Sequence, residues 1–250
     1  MTRRRFIADR WAPTVGHPET AALVGEQGEH LARVLRAEVG QIFDVVANGF
    51  LHRAEVVEVL REPAAEVRFL LHEELEADAA LPVHLLLAVF RFDPMEWAVE
   101  KATELGVAEI TPVLARRTEK HLGLAAPKRV ERWRRIALES AKQSRRTGVP
   151  AIYDPLPLAK ALEGIQQPVR ILLSETEQEV TLTTAMRGSA GQDIALAVGP
   201  EGGWTAEEMA LFAERSWRGV TLGPRILRAE TAAIAALAVV AALHGPGVDR

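Results

Sequence analysis

The chain has 250 residues, 48% apolar and 26% charged, enough for one large domain or a medium domain with a small partner, and wholesale disorder is excluded. It contains no cysteine, which excludes a disulfide framework, a thiolate zinc site and a cysteine nucleophile, and fits a reducing, cytoplasmic setting. A net charge of −4 argues, as an average, against a nucleic-acid partner, but phosphate is bound by local cation clusters, so distribution outweighs the sum.

Met1 to Arg10 carries arginines with no apolar stretch behind them, so no secretory leader is expected. Glu29 to Arg36 predicts a short helix ending near Gly40. Gln41 to Ala47 and Phe50 to Leu60, rich in β-branched and apolar residues, flank Asn48-Gly49, a dipeptide that favours φ > 0 at both turn positions; this is a hairpin signal. A small barrel-like domain over residues 1–74 follows, with the acidic stretch Glu73 to Asp78 as linker and a second domain over 80–250.

From Leu81 strands and helices alternate. Val83 to Val89 is a strand covered on both faces, and Asp93-Pro94 offers an N-cap with proline at the first helical position and Glu96 completing the box. Met95, Ala98, Ala102 and Leu105 form the buried stripe, Gly106 stops the helix, and Val107 to Leu114 is the next strand. This βαβ unit predicts an α/β domain with a largely parallel sheet.

A long helix is expected from about Pro127 to Arg146, with Val130, Trp133, Ala137 and Ala141 on one side. Lys128, Arg132, Arg135, Lys142 and Arg146 stack opposite, as either a solvated face or a phosphate-facing one. Val169 to Leu173, Ile194 to Val198 and Gly219 to Leu222 are further strands, ending in Ser174-Glu175, Gly199 to Gly203 and Gly223-Pro224-Arg225. Ligands of open α/β sheets collect outside the carboxyl ends of strands, so these loops are expected to form one pocket. The apolar run Ala232 to Leu243 is too short to span a bilayer and predicts a buried helix.

Gly199 to Gly203 lacks the spacing of a dinucleotide loop and the Gly-Lys-Ser/Thr of a P-loop. Thr205 and Glu208 form a capping box that partly occupies the next helix's first turn and disfavours a phosphate there, so a cofactor without phosphate suits this loop better. Arg225, Arg228 and Glu230 are either an ion-pair cap or a group that positions an anionic substrate. Of seven histidines (17, 30, 52, 72, 84, 121 and 244) none has metal-ligand spacing, so no metal is expected. Trp204 is a candidate for base stacking, the other tryptophans for packing.

Gly199-Pro200-Glu201-Gly202-Gly203 followed by Leu222 to Thr231 (LGPRILRAET) resembles the RsmE family, the bacterial 16S ribosomal RNA (uracil-N3) methyltransferases of the SPOUT superfamily. Met95 to Val107, Arg132 to Ser144, Arg5-Phe6 and His30 to Arg36 agree with it, so the resemblance spans nearly the whole chain in order. Arg91-Phe92-Asp93 stands where that family often has Lys-Gly-Asp, and Arg145-Arg146 follows Ser144 where a glycine is expected nearby. The resemblance implies a C-terminal trefoil-knot α/β domain and an N-terminal PUA-like RNA-binding domain. It also implies a homodimer with its active site near the interface, acting on 16S rRNA of the small ribosomal subunit, with no membrane partner. S-adenosylmethionine would be held mostly by main-chain contacts at Leu173, Ser174, Glu175, Gly199, Pro200, Glu201, Gly202, Leu222, Gly223, Ile226 and Leu227.

Arg225 and Arg228 are the candidates for stabilising a uracil anion, and Glu230 or Glu139 for its proton. RNA would be captured by Arg3, Arg5, Arg10, Arg33 and Arg36, helped by Arg116, Arg117, Arg132 and Arg135. The assignment requires the glycine turn at 199–203 and the arginine turn at 222–228 to lie side by side. The rival expectations are another SPOUT RNA methyltransferase acting at a ribose 2′-hydroxyl or a different base, and a non-catalytic RNA-binding ribosome-assembly factor.

Overall fold

The computed structural model describes residues 5–12, 19–47, 50–75, 80–144 and 146–244. The chain divides into two compact units, 1–79 with 141–148, and 80–140 with 149–250.

The first unit is a six-stranded mixed sheet. Its strands are β1 (Arg5–Ile7), β2 (Arg10–Ala12), β3 (Thr20–Leu23), β4 (Ile42–Ala47), β5 (Phe50–Leu60) and β6 (Glu66–Leu75), in the order β1-β4-β5-β6-β3-β2. Only β1–β4 is a parallel pair. β4 and β5 close on the pair Ala47↔Phe50, as two alternating runs should; the Asn48-Gly49 turn itself lies outside the described residues. Phe43 packs edge-on against Phe6 and Phe69, with ring centroids 5.8 and 6.3 Å away, over a core that includes Leu23, Leu31, Val45, Val56 and Val67.

Two expectations change here. Glu73 to Leu75 belong to β6, with Leu75 paired to Leu51 and Arg53 facing Glu73 at 3.4 Å, so the first half of the expected linker is strand; its second half, 76–78, lies outside the described residues. The helix begins at Gly25 (α1, Gly25–Glu29), continues as a π-helix over His30–Val34, and ends before Arg36, well short of Gly40. Gly28 is inside it because a Cβ there would stand 2.7 Å from the Ala65 carbonyl and 2.8 Å from that of Leu23. Close approach, and not helix breaking, is its role.

The second unit alternates strand and helix: β7 (Leu81–Ala88), α2 (Phe92–Glu104), β8 (Val107–Leu114), α3 (Lys120–Gln143, most of which belongs here), β9 (Ala151–Ile152), β10 (Leu156–Pro157) and α4 (Leu158–Glu163). Then come β11 (Val169–Leu173), α5 (Leu182–Ala185), β12 (Ile194–Val198), α6 (Ala206–Glu214), β13 (Arg218–Val220) and α7 (Ala229–His244). The sheet runs β10-β8-β7-β12-β11-β13 with β9 also on β8, and every pair is parallel. Both faces are covered, as the unbroken apolar strands require. Val83, Leu85 and Leu87 pack with α2, α3 and α7, while Leu86, Ala195 and Ala197 pack with α4 and α6.

Helix boundaries depart from the sequence pattern for physical reasons. α2 is flanked by Arg91 with no side-chain cap, and Asp93 sits within the first turn, where its carboxylate meets the positive helix end. Glu96 does not reach back to cap it, because it accepts from Arg132 Nε at 2.6 Å and Arg129 Nη1 at 3.4 Å. α3 starts at Lys120 with Pro127 inside it; the proline forgoes one backbone bond without ending the helix. Val130, Trp133, Ala137 and Ala141 are all buried, as their spacing predicts.

His84 on β7 has 11% of its side chain exposed, bonds Thr111 Oγ1 at 2.8 Å and stands 3.4 Å from Glu109. Burial pushes its imidazole below the ordinary histidine value, against the opposing pull of Glu109. The unfolded chain therefore binds a proton that folded His84 resists, so stability is lost as pH falls below about 6.5. In urea titrations across pH 5 to 7, His84→Gln is expected to flatten this loss, by at most about 1.4 kcal/mol per pH unit. Equal slopes for both proteins would rule the assignment out.

Candidate active site

Because β12, β11 and β13 are adjacent and parallel, the loops that follow them leave from one end of the sheet. β11 stands between the other two, so the glycine turn after β12 and the arginine turn after β13 leave the same end of the sheet on either side of Ser174 and Glu175, and the adjacency that the assignment requires runs through this middle loop. Backbone bonds sew the middle loop to the third: Ser174 N–H donates to the Val220 carbonyl at 3.0 Å, Thr221 N–H to Val180 at 2.8 Å, and Leu182 N–H to Thr221 at 3.0 Å.

Each loop shows main chain rather than side chain at its bend. In the first, Pro200 to Gly203 closes a turn through Gly203 N–H and the Pro200 carbonyl at 2.8 Å, with Gly203 at φ +70°. A Cβ on Gly199 would stand 3.0 Å from Trp204 Nε1, so glycine lets the strand end lie on the indole. Trp204 in turn packs edge-on to Phe212 at 4.9 Å. The indole is thus fixed from the protein side, and Trp204 remains half-buried beside the loop. In the third loop Gly223 has φ +121°, where a side chain is strained, and the Thr221 hydroxyl bonds both its N–H (3.1 Å) and its carbonyl (3.0 Å).

The remaining candidates fall around these bends. Leu173, Ser174, Leu222 and Leu227 are half-buried, Pro200 is buried, and Glu175, Glu201 and Gly202 are exposed. Ile226 is 82% exposed, an apolar side chain held in the open at the mouth of the loops. Arg225 and Arg228 are exposed, while Glu230, in the first turn of α7, is only 6% exposed. Among the described residues these three form no ion pair with one another or with any other group, so the ion-pair-cap alternative is not what the fold builds.

What the sequence pattern did not disclose is how the glycine loop is held. Arg91, beside α2, pairs its Nε with Glu201 at 3.0 Å, and Arg117, in the turn after β8, donates Nη1 to the Gly202 carbonyl. Glu208 is 3% exposed and does two jobs: one oxygen closes the capping box on Thr205 N–H at 2.8 Å, the other accepts Arg116 N–H at 2.7 Å. Thr118 adds a bond from its hydroxyl to the Val89 carbonyl at 2.9 Å. The capping spacing was visible in the sequence; the long-range half of each contact was not.

The arginines expected to take RNA phosphate differ in their freedom. Arg3 lies outside the described residues, and Arg5 is a β1 backbone partner of Asp44. Arg10 lies 3.9 Å from Glu66. Arg33 is tied to Glu29 at 2.8 Å and to the Arg61 carbonyl, and Arg132 to Glu96, so both are engaged in holding the fold. Arg36, Arg116 and Arg135 are exposed. Glu139 is exposed on α3 and already engaged in an interaction.

These loops fit a cofactor such as S-adenosylmethionine. The bends present main chain, the capping box takes up part of α6's first turn and so disfavours a phosphate there, and Ile226 and Leu222 offer apolar cover to an aromatic base.

Known proteins agree with this geometry. The RNA methyltransferase domain family matches residues 77–241. Ribosomal RNA small subunit methyltransferase E of Synechocystis sp. is 35% identical over 228 residues, covering 90% of this chain and 73% of that protein. The Bacillus subtilis protein of the same name is 30% identical over 247 residues, 95% of each. The crystal structure of ribosomal RNA small subunit methyltransferase E from Neisseria gonorrhoeae, bound to S-adenosyl methionine, matches with a TM-score of 0.77 at 30% identity, covering 97% of this chain and 98% of that one.

Removing Glu208 leaves two backbone N–H groups without acceptors, at about 1–3 kcal/mol each. Glu208→Ala is therefore expected to lose about 2–6 kcal/mol in urea unfolding, and Thr205→Ala, which loses only the cap, about 1 kcal/mol. Equal losses would show that the Arg116 contact contributes nothing.

Proposed function

This chain belongs to the RNA methyltransferase family, in its ribosomal RNA small subunit methyltransferase E group, and from that premise we propose that it uses S-adenosylmethionine to methylate N3 of a uridine in 16S rRNA. The observation that carries this is the set of main-chain bends at one end of three adjacent parallel strands, with two arginines on the last of them that have no ion-pair partner among the described residues. The cofactor, when bound, supplies an electrophilic methyl group.

The chain's residues deal with the other reactant. Uracil N3 is a poor nucleophile until its proton leaves, and the anion then spreads onto the flanking carbonyl oxygens. Arg225 and Arg228 face that charge, and Glu230, little exposed and without an ion-pair partner among the described residues, takes the proton. Leu173, Ser174, Glu175, Gly199 to Gly202, Leu222, Gly223, Ile226 and Leu227 hold the cofactor, largely through main chain. The pairing of 174–182 with Val220 and Thr221 supports a trefoil knot. The mixed sheet of the first unit supports a PUA-like RNA-binding role for Arg10 and Arg36.

A homodimer belongs to the same reading. α7 is apolar on all sides, yet Ala238 and Ala242 remain exposed in the single chain, and a helix of that kind is covered when it works. The substrate places the protein in the cytoplasm, with the small ribosomal subunit as partner.

Arg225→Ala is expected to lower kcat about 10²–10³-fold with calorimetric S-adenosylmethionine affinity unchanged. Mass spectrometry of 16S rRNA from a deletion strain is expected to lose one N3-methyluridine; a lost 2′-O-methyl mark would refute the assignment of the target atom. RNA affinity is expected to fall steeply with salt, as counterion release demands, and a flat response would remove the phosphate contacts.

A further inference from the structure

The guanidinium of Arg117 lies along the glycine loop rather than out toward solvent alone. Its Nη1 donates to the Gly202 carbonyl, and its stem covers the same residue: a Cβ on Gly202 would stand 3.3 Å from Arg117 Cδ and 3.5 Å from its Cβ. Gly203, next along, would meet Nη1 at 3.8 Å. Gly202 is not at positive φ, so backbone conformation does not demand a glycine there. The arginine does.

The turn that carries Arg117 is itself anchored. Arg116 N–H bonds buried Glu208, and Ala115 N–H bonds the Thr118 hydroxyl, which in turn donates to Val89. Arg117 thus reaches the loop from a fixed base, and the peptide between Gly202 and Gly203 is gripped from two sides, by Arg117 on its carbonyl and by the Pro200 carbonyl on its N–H. Peptide orientation is what a main-chain cofactor cradle consists of.

We propose that Arg117 is a positioning residue for the cofactor loop, fixing the Gly202–Gly203 peptide so that its neighbours can hold S-adenosylmethionine, and is not a phosphate-capturing cation. This rests on the S-adenosylmethionine reading above. The loop's glycine at 202 and the arginine at 117 then form one device, and altering either disturbs the same peptide.

Calorimetric titration of the full chain with S-adenosylmethionine tests it, with a thermal melt as a check on folding. Arg117→Ala and Arg117→Met are both expected to weaken cofactor binding roughly tenfold, since neither retains the donor. The KM for RNA and the slope of RNA affinity against salt stay as in the parent chain, and kcat at saturating cofactor changes less than about threefold. Gly202→Ala is expected to weaken binding similarly, and the double variant Arg117→Ala/Gly202→Ala no further than the worse single one, as for two changes to one contact. Parent-like cofactor affinity in Arg117→Ala overturns the proposal, as does a salt slope reduced by about one unit with a raised KM for RNA. Additive losses in the double variant overturn it too. A parent chain that takes up no S-adenosylmethionine overturns the functional reading as well, which separates the two failures.

Discussion

Every strand in the sheet of the second unit runs in the same direction, and the rest of the site follows from that constraint. A parallel strand must be followed by a crossover, so every turn that leaves a strand exits at one end. Ser174, Gly199 and Leu222 meet there although dozens of residues separate them in sequence. The apolar faces that cover the sheet on both sides keep water from the strands, and the bends at its end are where backbone groups first come free.

Free backbone groups hold a ligand only if they are fixed. In the glycine loop the fixing comes from charged side chains on two other turns: Arg91 on the Glu201 carboxylate, Arg117 on the Gly202 carbonyl, with Glu208 locking the base from which Arg117 reaches. The three ties differ in strength. Arg91 and Glu201 are an exposed pair, worth about 0–1 kcal/mol, and trim the loop without defining it. Glu208 is nearly dry and satisfies two part-buried backbone donors, so it contributes more. Stability thus concentrates below the loop and adjustability above it.

The strands of this unit were legible because each is a short apolar run, and β8, β11 and β12 fall on the predicted residues. The hairpin of β4 and β5 was legible for the complementary reason, two alternating runs around a turn dipeptide. Helix starts were not. Pro127 and Asp93 carry sequence signals for a beginning, yet α3 starts a turn and more earlier and Asp93 sits inside α2, because packing against the sheet outweighs a preference worth about 1 kcal/mol. Glycines mislead in the same way: Gly28 and Gly199 look like breaks but serve close contacts, Gly28 with the carbonyls of Leu23 and the distant Ala65, Gly199 with the indole of Trp204. The site's glycine and arginine turns were visible as motifs, whereas the ties from Arg91 and Arg117 span 110 and 85 residues and leave no periodic trace.

Charge explains why an acidic chain can take an anionic substrate. Formal charge is −4 over the whole sequence, but many cations are neutralised inside the fold: Arg132 and Arg129 by Glu96, Arg33 by Glu29, Arg91 by Glu201, Arg134 by Glu131 and Asp154. What faces a ligand is the remainder. Arg225 and Arg228 are exposed and, among the described residues, without an ion-pair partner, while Glu201 on the glycine loop is itself occupied by Arg91. Local field depends on unpaired charge within about 8–10 Å and hardly on the total, since salt screens the rest. The helix face that looked most basic in sequence is therefore less basic than it reads, because Arg132 has already found its acid on α2, whereas the two arginines after β13 keep their charge for an anion that enters the site.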